Sequence, residues 1–159
     1  MDMDMVGTDV RRAVPDAYAL YGIALGHTPG AAVIRERASD GRLTLVITAL
    51  ALISASGMLT CGERRCGGDH PDDVTPLLQE LAASDGADLS ALTPRQAAEV
   101  GALYRDQISA RYVGDTVVAA CSAVLVAHAQ NIPVLTTPRS RYCYVAAAMD
   151  ALAPRIEIE

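Results

Sequence analysis

Two aspartates stand at points in the chain where a carboxylate can do chemistry. Asp16 follows the short stretch 11–14 and Pro15 and precedes an apolar run, 17–25, with helical spacing, so it falls where a strand gives way to a helix. In an open α/β sheet that edge is where ligands gather. The same position suits an N-cap, whose side-chain oxygen accepts backbone N–H bonds and complements the helix dipole. Asp115 is the second candidate, set between Gly114 and the run Thr116-Val117-Val118. It too reads as a helix start, and simple capping accounts for it unless it faces Asp16 across neighbouring strands. If it does, the two carboxylates can share a Mg²⁺ whose octahedron is completed by water.

A third group is the polar loop that contains Cys61, Cys66 and His70. Two thiolates and an imidazole supply three of the four ligands of a tetrahedral zinc. The cysteines are separated by four residues rather than the commoner two, and no fourth ligand follows, so a metal-free, mobile polar loop is the expectation. His27 and His128 are isolated, and His128 lies in an apolar helix where packing explains it. Tyr142 and Tyr144 alternate with Arg139 and Arg141, a set that can stack on and clamp RNA bases but also suits a solvated rim. There is no nucleophile elbow and no glycine-rich phosphate loop, which counts against a nucleotide-binding module.

The elements that must position these residues alternate in type. Helices are expected over 17–25, stopped by Gly26, and over 30–38, closed by Asp40-Gly41. The β-branched run 43–48 reads as a strand buried in a parallel sheet and runs directly into a helix over 49–59. A helix over 74–83 has Pro76 in its first turn, and 89–92 reads as a short strand. Thr93-Pro94-Arg95-Gln96 is a capping box, with Ala97, Val100, Tyr104 and Ile108 on one face of the helix it opens. The Ala- and Val-rich helix from Asp115 ends near Asn131. A strand over 132–136, a helix over 142–152 and a strand over 155–158 complete the chain. Strands alternating with helices indicate an α/β sandwich around a mainly parallel sheet.

Composition bounds the function. The 159 residues include 51% hydrophobic side chains, enough for one domain with a buried core. Phe, Trp and Lys are absent and all 13 basic residues are Arg, the profile of a GC-rich bacterial genome. The net charge of −6 has the wrong sign for holding nucleic acid by bulk electrostatics. The four cysteines suit free thiols in a reducing compartment. No apolar run is long enough to span a bilayer, and the acidic start of the chain does not resemble a secretory signal, so a cytoplasmic protein with no membrane partner is expected.

The order of segments resembles the PIN-domain family, which includes the ribonuclease toxins of bacterial toxin–antitoxin pairs. The likeness rests on Asp16-Ala17-Tyr18-Ala19-Leu20 after a short strand and on the strand and helix over 42–55. It rests above all on 117–136, an Ala-rich helix ending Ala127-His128-Ala129-Gln130-Asn131 and then the strand Ile132-Pro133-Val134-Leu135-Thr136. The resemblance implies a three-layer α/β/α sandwich over 11–159, after a flexible N-terminal tail over 1–10. It also implies metal-assisted phosphodiester cleavage by three or four clustered acids. Asp16 matches the first acid. The second falls at Ser54, and no acid lies between Asp40 and Glu63. Asp115 matches the third, displaced one helical turn from its usual distance to Thr136 but on the same face. The fourth falls at Thr137, with Pro138 beyond it. Pro15 is a further departure, since it removes a ladder donor from a central strand.

The resemblance therefore implies a PIN-like protein whose nuclease site is degenerate, with Asp16 and Asp115 as the remnant acids. Two carboxylates imply a weakly held Mg²⁺ or Mn²⁺, or no cofactor. Such a protein acts by binding an antitoxin-like protein partner, RNA, or a second copy of itself as a homodimer. The alternative is a working Mg²⁺- or Mn²⁺-dependent endoribonuclease toxin.

Overall fold

The computed structural model of the chain describes residues 10–58, 61, 68, 71 and 73–159. Five parallel strands form one sheet in the order β3-β2-β1-β4-β5. They are β1 (Arg12–Pro15), β2 (Thr44–Thr48), β3 (Ala87–Ser90), β4 (Val134–Thr136) and β5 (Arg155–Glu157). Between β1 and β2 lie α1 (Ala17–Leu25) and α2 (Pro29–Ser39), and between β2 and β3 lie α3 (Ala49–Ser56) and α4 (Thr75–Ala82). The long crossover to β4 carries α5 (Pro94–Ser109) and α6 (Asp115–Gln130). A 3-10 helix (Pro138–Tyr144) and α7 (Ala147–Asp150) connect β4 to β5.

Side-chain alternation along the strands separates two cores. Ala13, Leu45, Ile47 and Leu135 face one side, where they pack with Leu20, Ile34 and Leu78 of the helices. Val14, Val46 and Val134 face the other, against Val117, Val124 and Met149. A sheet buried on both faces explains why β2 reads as an unbroken apolar run.

Pro15 is accommodated by the same alternation. Val14 and Asp16 donate to Pro133 O, just before β4, and to Leu135 O of β4, both at 3.0 Å, so the missing N–H of Pro15 points towards β2. The β1–β2 pairing ends at Ala13–Leu45, before the donor is needed.

Several expectations are corrected. The strand placed at 89–92 is β3, Ala87–Ser90. On α5 the buried residues are Val100, Leu103 and Gln107, whereas Ala97 and Ile108 are exposed. A glutamine in a core position disguised that face. His128 is exposed and its Nδ1 lies 2.9 Å from Leu152 O, so it is not a packed core residue.

The helix expected over 142–152 is replaced by the 3-10 helix and α7, and the cause is local. In an α-helix Ala146 N–H would bond the carbonyl four residues back; here it donates to Gln107 Oε1 at 3.1 Å. The Cys143 carbonyl accepts from Gln107 Nε2 instead of from its own helix. Residues 1–9, Cys66 and His70 lie outside the described residues, and with them most of the expected tail and the loop's ligand set.

Candidate functional site

Three adjacent strands, β2, β1 and β4, each give way to a helix within one or two residues at the carboxyl edge of the sheet. Thr48 ends β2 and caps α3, its Oγ1 accepting from Ala51 N at 3.1 Å. Asp16 follows β1 and caps α1, its Oδ1 accepting from Ala19 N at 2.9 Å. Thr137 follows β4, and its N–H donates to Ser140 Oγ at 3.0 Å. The strand order reverses between β1 and β4, the crevice in which ligands bind in doubly wound sheets. Asp16, Thr136 and Thr137 lie at its mouth.

Asp16 is 1% exposed, and its carboxylate is committed to protein donors. Besides Ala19 N–H, it accepts the Tyr144 hydroxyl at Oδ2, at 2.6 Å. The nearby Thr136 and Ser140 hydroxyls favour its charged form. Burial is the strongest influence on this group and raises its pKa above the ordinary 3.8, against the hydrogen bonds, which lower it. Burial and then the Asp16 charge raise the Tyr144 phenol well above its ordinary range.

Asp115 sits on the same edge, because α6 runs antiparallel to the strands and starts where they end. Gly114, at φ 130°, is the N-cap, so Asp115 opens the helix without a side-chain capping bond. Its carboxylate is exposed and accepts from Ser54 Oγ at 2.6 Å. The residue matched to the second acid thus touches the residue matched to the third. Thr48 Oγ1 and Ser122 Oγ share a bond of 2.9 Å, and Thr136 Oγ1 and Ser140 Oγ one of 2.6 Å. Buried hydroxyl groups that satisfy one another line the edge.

Tyrosines cover it. Tyr142 shares hydrogen bonds with Thr116 Oγ1 at 2.7 Å and with Tyr18 OH at 3.0 Å. The Arg139 guanidinium lies 4.6 Å from the Tyr18 ring centre and donates to Cys61 O. Arg141 pairs with Glu157 through two bonds. Tyr144 is buried, so the reading of Tyr142 and Tyr144 as one solvated rim or stacking pair fails for Tyr144. Its role was missed because its partner lies 128 positions away in the chain. The one available sequence signal was its place just beyond Thr136, at the edge that Asp16 shares.

The donor chemistry does not suit Mg²⁺ or Mn²⁺. These ions favour several anionic oxygens with free lone pairs in strict octahedral geometry. Asp16 offers oxygens already engaged by donors. Ser54 donates its proton to Asp115, and Thr137 carries no charge. Among the described residues no group of three or more His, Cys, Asp or Glu converges to hold a metal ion. No helix among them is long and apolar enough to cross a membrane.

No family model and no curated protein matches this sequence. Among solved structures, a chain of VapBC2 from Rickettsia felis, crystallised with a DNA fragment from its promoter, superposes with a TM-score of 0.57. The match covers 93% of this chain and 99% of that one, at 9% sequence identity. At that identity the likeness is one of fold, and the fold of this chain is PIN-like: an all-parallel five-stranded sheet flanked by helices.

Proposed function

We propose that this chain is a PIN-like binding protein whose ancestral nuclease site is degenerate, with Asp16 and Asp115 as remnants and Ser54 and Thr137 at lost acid positions. The observation that carries the reading is the commitment of both Asp16 carboxylate oxygens, one to Ala19 N–H and the other to the Tyr144 hydroxyl. A buried carboxylate so engaged has fewer lone pairs left for a cation and is oriented by its protein donors. Without a positioned cation, the water that attacks a phosphodiester is neither activated nor aligned.

The partner favoured is a protein of the antitoxin kind. The fold likeness to VapBC2, a complex bound to promoter DNA, supports a toxin–antitoxin setting, while the net charge of −6 argues against nucleic acid as the direct ligand. A homodimer and a cytoplasmic location belong to the same proposal. Exposed Ile53, Leu89 and Val113 offer apolar surface for association.

The test is RNA cleavage in Mg²⁺ or Mn²⁺, comparing the native chain with Asp16→Asn. The reading requires both to be equally inert. Robust native cleavage that disappears in Asp16→Asn would replace it with the Mg²⁺- or Mn²⁺-dependent endoribonuclease.

A further inference from the structure

The segment 138–150 crosses the mouth of the β1–β4 crevice as the 3-10 helix and the one-turn α7, and neither joins the sheet's backbone ladder. Its backbone bonds outside those two helices are single turns, such as Ser140 N to Thr137 O at 3.0 Å and Met149 N to Ala146 O at 2.9 Å. Side chains fasten it instead. Tyr144 reaches Asp16, and Tyr142 reaches Thr116, the neighbour of Asp115. On its inner side Cys143 and Met149 are fully buried.

One residue outside the segment grips it on both sides of Tyr144. Gln107 of α5 is completely buried. Its Oε1 accepts from Ala146 N at 3.1 Å, and its Nε2 donates to the Cys143 carbonyl and contacts Met149 Sδ at 3.0 Å. These bonds fix the backbone immediately before Tyr144 and two residues after it, which sets where the phenol hydroxyl arrives.

We infer that residues 138–150 form an occluding strap over Asp16, that Gln107 is the positioning residue that fastens it, and that it opens as a unit while the rest of the fold stays closed. Short connecting helices outside the sheet open at lower free energy than the strands and long helices of the core. Opening withdraws Tyr144 from Asp16 and uncovers the crevice. This goes beyond the proposed binding function, since the strap closes the site whatever the site binds.

The chain carries its own reporters. Cys143 lies in the strap and Cys121 in the core of α6; both are fully buried, and burial pushes both thiols up to about 12. Each is therefore modified only when its surroundings open. The experiment is timed labelling of the full chain with an aromatic disulfide reagent, read at each cysteine by peptide mass spectrometry. In the native protein Cys143 is expected to react at least about tenfold faster than Cys121. Gln107→Met, which keeps length and apolar contact but loses the bonds to the strap's backbone, should speed Cys143 by about tenfold more and keep it well ahead of Cys121. Tyr144→Phe should act in the same direction. Equal rates at the two cysteines in the native chain would overturn the inference, because the strap would then open only with the whole fold. Gln107→Met and Tyr144→Phe that leave the Cys143 rate unchanged would overturn the fastening role. If Gln107→Met does not fold, the native comparison and Tyr144→Phe decide the matter.

Discussion

Ser54 donates its hydroxyl to Asp115 across 2.6 Å, joining α3 to the first turn of α6. The contact places these two positions within reach of one another, as a shared acidic site requires, but leaves one charge where a metal site needs more. A serine bonded to a carboxylate is a stable end state, since both groups are satisfied without a cation.

Restoring the acid at that point should therefore be costly. Ser54 is nearly buried, and Ser54→Glu sets a second carboxylate against Asp115. Stability is expected to fall by about 1–3 kcal/mol near neutral pH, and to recover as the pair takes up a proton in mild acid. Urea unfolding at the two pH values measures both.

Removing the Tyr144 hydroxyl should cost more than an average surface change. Tyr144→Phe keeps the ring and leaves Asp16 Oδ2 without its closest donor. A loss of about 1–3 kcal/mol is expected in denaturant titration.

The Asp16 carboxyl sets a pH dependence whose sign follows from its raised pKa. The folded state binds this proton more tightly than the unfolded chain. Its contribution is therefore fully present below the ordinary 3.8 and is lost as pH rises through the folded value. Asp16→Asn should remove that decline, so the stability difference between native and variant shifts in favour of the variant across this window. Parallel curves for the two proteins would show that Asp16 does not titrate in this way.

Two glycines make a packing control. A Cβ on Gly86 would lie 2.3 Å from the Ala38 carbonyl oxygen, where backbone cannot yield cheaply. Gly86→Ala is expected to destabilise by about 1–3 kcal/mol. Gly101 on the exposed side of α5 meets nothing, so Gly101→Ala should stabilise by about 0.5–1 kcal/mol. Thermal melts of both variants check the pair.

Much of this architecture was readable from local pattern. The Ala17–Leu25 helix, the buried run of β2 and the Thr93 capping box are set by nearest neighbours, and the structure places them where those patterns predict. Asp16 and Asp115 were found because helix starts carry local signals. The rest depended on partners distant in sequence. Gln107 carries no local signal of its role, because its bonds run to residues 143–149, and those same bonds prevent the continuous helix expected there. Tyr144 looked like a rim aromatic because nothing near it in sequence announces Asp16. The second and fourth acid positions became visible through the family resemblance, not through the chemistry of Ser54 or Thr137.

The central claim is that the Asp16 carboxyl is committed within the protein rather than available to a cation. Carbon-13 NMR of that carboxyl, titrated with pH in the absence and presence of millimolar Mg²⁺, tests it most directly. A midpoint above 3.8 that Mg²⁺ leaves in place is expected. A midpoint that falls when Mg²⁺ is added would contradict the claim.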